Sequence, residues 1–389
     1  MSSKTIYSEH TPFEQTISAQ KAARLLELHH ASQPLVLINV WDAASAAMVE
    51  HCGLPAVATS SAALANALGF ADGQHLPWPQ MLEAVARICR AVKVPVTADI
   101  ESGFAADAKA LETSITQIIQ AGAVGVNLED VMPAQADPPA QPYSTDSRPE
   151  NAQPKNDDPK HADLKHADPT HASLKQADLK QAKPNVRHGN PLFPLPEQIE
   201  RIQAARRAAT AAGIHLVVNA RTDAYWQSGV EPAEALRNTL ARGKAYLQNG
   251  ADCVFIPGLR NSEHIKTVID HLSARDLRTD DLRTDDLRTD DLRTNDPRAN
   301  DLRSNDLRTN DLRAVHRVAP VNILAGPGVP SIPELAKLGV KRVSYGSGPH
   351  RAAMGLLRRM ADEAKTSGTY QALTEGAVPY EEINGLFQR

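Results

Sequence analysis

The chain has 389 residues, with 42 Lys plus Arg against 46 Asp plus Glu and 42% apolar side chains. That length allows one large domain or two ordinary ones, because single cores stop growing near roughly 250–300 residues. A net charge of -4 gives no reason to expect nucleic acid or a membrane surface as a partner. Three scattered cysteines, Cys52, Cys89 and Cys253, exclude a disulfide framework. No leader-like apolar run and no stretch of about 18 apolar residues occurs, so a cytoplasmic protein is expected.

In chain order, a helix is predicted from Pro12 to His30, placed to plug or flank whatever follows. Short apolar runs then recur: Leu35 to Asn39, Ala56 to Thr59, Val94 to Asp99, Val124 to Leu128, Leu216 to Asn219, Cys253 to Ile256, Val321 to Ala325 and Arg342 to Tyr345. Each reads as a strand buried on both faces. Helical spacing of apolar residues falls between them, over Trp78 to Ala91, Ala108 to Gln120, Glu197 to Ala212, Pro232 to Gln248, Ser331 to Leu338 and Gly348 to Ala364. Eight strands alternating with helices predict a (β/α)8 TIM barrel of the α/β class. The rival, an open doubly wound sheet, lacks its G-x-G-x-x-G turn.

Two segments interrupt this alternation. Residues 134–190 carry eight prolines and a single aromatic, and run through HADLK HADPT HASLK; residues 275–313 repeat DLRTD and DLRTN. A period of five fits neither a helix nor a strand, so Leu277, Leu282, Leu287 and Leu292 cannot line one face of either. Both are expected to be disordered insertions in a single domain spanning 1–389. The first follows the fourth strand, on the catalytic face of a barrel; the second precedes the seventh strand, on the opposite face.

Polar residues at the carboxyl ends of barrel strands converge on one site. Here those ends carry Asn39 and Asp42, then Ser60 and Ser61, then Asp99 and Glu101, then Asn127, Glu129 and Asp130, then Asn219, Arg221 and Asp223, and last Ser344 and Ser347. A ring of acids repels itself unless a cation sits inside, and hard oxygen ligands select Mg2+ or Mn2+. One direct ligand suffices, because Mg2+ keeps several waters. Arg221 is suited to clamp a substrate carboxylate, or else to pair with Asp223 alone. Turn chemistry explains Ser60, Ser61 and Asp72 as well as function does.

The stretches LVLINVWDAASA, VATSSAALANALGFADG, VPVTADIESGFA, AGAVGVNLED, VVNARTDAYW, GADCVFIPGL and VNILAGPGVPSIPELAKLGVKRVSYGSG together resemble the isocitrate lyase/phosphoenolpyruvate mutase superfamily, in family order. The resemblance implies a Mg2+-dependent barrel enzyme forming a homo-oligomer, often with an exchanged terminal helix. It implies Asp99 as the main metal ligand, with Glu101 standing where the family commonly has Asp, and Glu129 holding metal-bound water. It implies Arg221, Ser60, Ser61 and Ala62 as binders of the substrate carboxylate, and Asp72 as the acid closing the second-strand loop. The K-[KR]-C-G-H loop of isocitrate and methylisocitrate lyases is absent: that place reads EDVMPAQADPPA.

The expected function is a Mg2+-dependent lyase or hydrolase that cleaves a carbon-carbon bond in a small 2-oxo or 2-hydroxy carboxylic acid through an enolate. Carbon-phosphorus chemistry of the phosphoenolpyruvate mutase or phosphonopyruvate hydrolase type is one alternative. An inactive barrel serving as a binding scaffold is another.

Overall fold

The computed structural model describes residues 12–133, 190–273 and 319–388. The disorder expected of the two period-five segments falls almost wholly outside them. Nine strand segments, all parallel, run in the order β1-β9-β8-β7-β6-β5-β4-β3-β2. They are β1 (Leu35–Leu37), β2 (Asn39–Val40), β3 (Val57–Thr59), β4 (Val96–Asp99), β5 (Gly125–Glu129), β6 (Val217–Arg221), β7 (Cys253–Phe255), β8 (Val321–Leu324) and β9 (Arg342–Ser344).

The count of nine hides a ring of eight. β1 and β2 are one strand interrupted at Ile38, and its halves pair with opposite neighbours: Leu35 to Leu37 with β9, Asn39 and Val40 with β3. Asn39 fastens this seam. Its Oδ1 accepts the N–H groups of Tyr345 and Gly346 at 2.8 and 2.9 Å, while its Nδ2 donates to the Thr59 carbonyl at 2.7 Å. One side chain thus ties the last strand to the second, and the predicted TIM barrel closes.

The helices follow from the same pattern of burial. α1 (Pro12–His29) precedes the barrel; α2 (Ala43–His51) and α3 (Ser61–Ala67) follow the first two strands. α4 (Trp78–Ala91) buries Met81, Leu82, Val85 and Ile88. α5 (Ala108–Gln120) is capped by Asp107, whose Oδ1 accepts the Ala110 N–H at 2.8 Å, and buries Leu111, Ile115, Ile118 and Ile119. α6 (Leu195–Ala211), α7 (Pro232–Gln248), α8 (Ser262–Leu272) and α9 (Ile332–Leu338) cover the remaining strands. α10 (Gly348–Thr366), α11 (Gln371–Thr374) and α12 (Tyr380–Gly385) form a C-terminal arm.

α1 seals the amino-terminal end of the barrel. Leu25 is fully buried, and a Cβ on Gly125, at the start of β5, would stand 2.8 Å from its Cδ2 and 3.0 Å from Thr97 Oγ1. Glycine there is the condition for helix and strand to approach so closely. Above this plug the barrel axis is polar. Arg342, fully buried, donates to Asn127 Oδ1 at 3.0 Å, to Ser344 Oγ at 3.3 Å and to His29 Nε2 at 3.3 Å. Asn219 Nδ2 donates to the same Asn127 Oδ1 at 2.7 Å.

The described residues that border the two period-five segments meet one another. Beyond β5, Val131 bridges Leu192 antiparallel, the Met132 N–H reaches the Pro191 carbonyl at 3.0 Å, and the Phe193 N–H reaches the Asp130 carbonyl at 2.7 Å. Beyond α8, the Ala319 N–H meets Ser273 Oγ at 3.3 Å. In each case the chain leaves and returns at one point. Among the described residues no helix is long and apolar enough to cross a membrane.

Candidate active site

Asp99, at the end of β4, is the side chain around which the site is built. Its Oδ2 accepts the Ser61 N–H at 3.0 Å and the Ser61 hydroxyl at 2.8 Å, and its own N–H donates to Thr59 Oγ1 at 2.9 Å. Its Oδ1 is buried with no hydrogen-bond partner among the described residues. A buried carboxylate oxygen left unpartnered is costly unless a proton or a cation completes it.

Two further acids sit beside it. Glu101 is buried, and its Oε1 accepts the Gln74 N–H at 3.1 Å. Burial first, then the neighbouring Asp99, push its carboxyl up to about 7. Glu129, at the end of β5, donates its N–H to the Glu101 carbonyl at 2.9 Å. Burial drives Glu129 well above the ordinary carboxylate range, against the opposing pull of Arg221. Acids that resist ionisation together are the chemistry a divalent cation relieves. The described residues hold no group of three His, Cys, Asp or Glu side chains close enough to ligate an ion outright. Such a set of acids suits an ion held by one carboxylate and reached by the others through water.

Arg221 ends β6 and supplies the positive side of the site. Its Nη1 lies 2.8 Å from Glu129 Oε2, close enough for an ion pair though not aligned as a hydrogen bond. Its Nε and Nη2 donate to Asp223 Oδ1 and Oδ2 at 2.6 and 2.7 Å. The rings of Trp226 and Phe255 lie 5.1 and 5.8 Å from its guanidinium carbon. Burial opposes its charge, but Asp223 and Glu129 outweigh that and hold the proton more tightly than usual.

Of the remaining sequence candidates, Ser60 caps α3, its Oγ accepting the Ala63 N–H at 3.4 Å. Ser61 binds Asp99, as described. Ala62 is half-buried in the first turn of α3. Asp72 is half-buried in the α3–α4 loop, its Oδ1 accepting the Gly73 N–H at 3.1 Å. Asp42 caps α2, its Oδ1 accepting the Ser45 N–H at 2.7 Å.

Sequence reasoning placed Asp130 and Asp223 at the strand ends but missed their work as supports behind this site. Asp130 is fully buried, accepting the Tyr246 hydroxyl at 2.7 Å, Arg242 Nη1 at 3.2 Å and the Asp223 N–H at 3.0 Å. Through Asp223 it holds Arg221 in place. Only the adjacency of Asp130 to Glu129 hinted at this, since Tyr246 lies 116 residues away in the chain.

A closed parallel barrel that gathers three acids and one arginine at the carboxyl ends of its strands has the architecture of a barrel enzyme. The phosphoenolpyruvate phosphomutase family matches residues 25–155, 177–293 and 304–365, and the chain belongs to that family, within the isocitrate lyase/phosphoenolpyruvate mutase superfamily. A 2-methylisocitrate lyase of Bacillus subtilis (strain 168) is 22% identical over 259 residues, 67% of either chain. An uncharacterized protein of Mycobacterium tuberculosis is 25% identical over 358 residues, 92% of this chain and 93% of its own. Among solved structures, a candidate lyase/mutase from Burkholderia cenocepacia J2315 is 26% identical with a TM-score of 0.65, covering 96% of this chain and 98% of that one. A phosphonopyruvate hydrolase in complex with oxalate and Mg2+ shares the fold at a TM-score of 0.60 and 18% identity, covering 94% of each chain.

Proposed function

We propose that this chain is a Mg2+-dependent lyase or hydrolase, Mn2+ being able to substitute, that cleaves a carbon-carbon bond in a small 2-oxo or 2-hydroxy carboxylic acid through an enolate. The observation that carries the reading is Asp99 Oδ1, buried and without a hydrogen-bond partner among the described residues, beside Glu101 and Glu129. Bound Mg2+ would supply Lewis-acid stabilisation of the negative charge that develops on the substrate. Asp99 would hold it directly; Glu101 and Glu129 would orient its waters.

The protein's own groups do the rest. Ser61 holds Asp99 Oδ2 with both its main-chain N–H and its hydroxyl, leaving Oδ1 for a ligand. Arg221, held rigid by Asp223, offers Nη1 to a substrate carboxylate in exchange for Glu129. Ser60 and Ser61, with Ala62, form the turn on which a second carboxylate oxygen would rest, and Asp72 closes that side. A homo-oligomer acting in the cytoplasm is part of the proposal: Met354, Leu357, Tyr370, Leu373, Tyr380 and Phe387 leave apolar surface exposed along the C-terminal arm.

The test is a panel of 2-oxo and 2-hydroxy acids incubated with Mg2+, with pyruvate or oxalate as the detected product. Turnover that disappears on chelation supports the reading; turnover of none, together with no Mg2+-dependent binding of oxalate, rejects it. Carbon-phosphorus chemistry is the second reading, favoured by the match to the phosphoenolpyruvate phosphomutase family. A changed phosphorus NMR signal from phosphonopyruvate or phosphoenolpyruvate would select it.

A further inference from the structure

Among the described residues, three non-glycine residues occupy the left-handed backbone region: Gln74 at φ 64°, Glu101 at φ 51° and Phe104 at φ 51°. Side chains with a Cβ rarely adopt that conformation, and where they do the surroundings must over-determine it. All three lie on two facing turns. One turn carries Asp72, between α3 and α4; the other leaves β4 and carries Glu101.

Gln74 joins them with both of its amide groups. Its main-chain N–H donates to Glu101 Oε1 at 3.1 Å, and its side-chain Nε2 donates to Ser102 Oγ. Further along, the ring of Phe104 packs on Trp78, the first residue of α4, with centroids 5.1 Å apart. From the opposite side Arg201 Nη2 donates to the carbonyls of Ser102 and, at 3.3 Å, Ala105. Glycine is the usual residue at a left-handed turn position, so a glutamine there trades backbone ease for its side chain.

We propose that Gln74 is a positioning residue that locks the Asp72-bearing turn onto the Glu101-bearing turn, so that the two acids enter the site as one unit. The mechanical part stands on the geometry alone; its consequence for ligand binding rests on the proposed function. Because Gln74 contributes a main-chain donor to one residue and a side-chain donor to the next, a shift of either turn breaks both bonds. Asp72 and Glu101 then share one displacement.

The test compares the full-length parent with Gln74→Ala and Gln74→Gly by hydrogen exchange over residues 70–77 and 99–106, then by calorimetry with oxalate and Mg2+. Both variants should raise exchange in both windows by about tenfold or more, the rest of the barrel being unchanged. Gln74→Gly is the discriminating variant, since it relaxes the backbone while deleting the side chain. If it exchanges like the parent, the glutamine side chain locks nothing and the proposal is overturned; so is it if only residues 70–77 respond. Ser102→Ala removes the side-chain acceptor and must reproduce the effect at 70–77, which keeps the idea testable should a Gln74 variant fail to fold. Oxalate affinity should drop about fivefold or more in both Gln74 variants, a loss that an unlocked pair of acids predicts and an intact pair does not. A parent that binds no oxalate with Mg2+ rejects the proposed function, while the exchange data still decide the lock.

Discussion

Arg221 and Asp223, two residues apart in sequence, meet in a buried two-pronged pair, Nε to Oδ1 at 2.6 Å and Nη2 to Oδ2 at 2.7 Å. The edge of the guanidinium that would suit a substrate carboxylate is thereby occupied by the protein itself, and only Nη1 faces the acids, 2.8 Å from Glu129. Asp223 in turn hangs from Asp130 by its main-chain N–H at 3.0 Å. Arg221 is a fixed charge rather than a mobile arm.

That arrangement separates stability from binding in two variants. Asp223→Ala removes the two-pronged partner of a buried guanidinium and leaves it with Glu129 alone among the ion pairs described, and breaking one side of a buried pair costs about 3 kcal/mol, to be read from a denaturant midpoint. Arg221→Lys keeps the charge but loses the planar fork, so Mg2+-dependent oxalate affinity should fall about tenfold or more by calorimetry. An Arg221→Lys protein that binds oxalate like the parent would remove Arg221 from the binding site.

Asp99 tests the cation. Mg2+ binding to the folded state raises the thermal midpoint by mass action, to the extent that its concentration exceeds the dissociation constant. Asp99→Asn preserves the shape of the side chain and the two bonds from Ser61 while deleting the charge beside the unpartnered Oδ1. The parent should gain stability with millimolar Mg2+ and the variant should not. Equal gains in both would show that Asp99 is not the ligand.

The barrel was legible because its strands read as short, mostly apolar or β-branched runs recurring between helical patterns, and VTAD, GVNLE and VVNAR are buried at every position. Asp99, Glu129 and Arg221 were legible as the charged residues that end three such runs, and they end β4, β5 and β6. The break at Ile38 was not, since it depends on which neighbour each half finds. Nor was Gln74: glycine and asparagine announce a left-handed turn, whereas glutamine is held there by Glu101 and Ser102 from another loop. Asp130 read as one more acid of the strand-end ring, and its work as a bracket between β6 and α7 needed three dimensions.

His29 makes the fold sensitive to acid from below. Its Nδ1–H donates to the Leu25 carbonyl at 2.7 Å, which leaves Nε2 as acceptor for Arg342 at 3.3 Å. Burial, and then the charge of Arg342, lower its pKa from 6.5 to about 3. The unfolded chain takes up a proton as pH falls below 6.5 while the folded chain refuses it until about 3. Stability is thus full above the upper value and declines towards the lower, by an amount on the order of 5 kcal/mol. His29→Gln keeps a donor for Leu25 and an acceptor for Arg342 without the titration. Denaturant midpoints across that window should fall less steeply for His29→Gln than for the parent; parallel slopes would assign the acid sensitivity elsewhere.

Excision of residues 134–189 decides whether the chain is a barrel enzyme carrying an insertion or a scaffold built around it. The stem is already closed by the Val131–Leu192 bridge and by the bonds from Met132 to Pro191 and from Phe193 to Asp130, so a linker of about six Gly and Ser residues spans the gap without strain. Loop entropy changes by only about 0.6 kcal/mol per doubling of length, so a shortened connection should leave the barrel at least as stable as the parent. Asp130, the residue from which the stem departs, is held from the side of α7 by Tyr246 and Arg242, and that grip does not involve the excised residues. The shortened protein is therefore expected to keep its thermal midpoint within about 3 °C and its Mg2+-dependent oxalate binding. Binding lost with the midpoint unchanged would mean that the segment supplies part of the site, and a midpoint that collapses would mean that it supplies part of the fold.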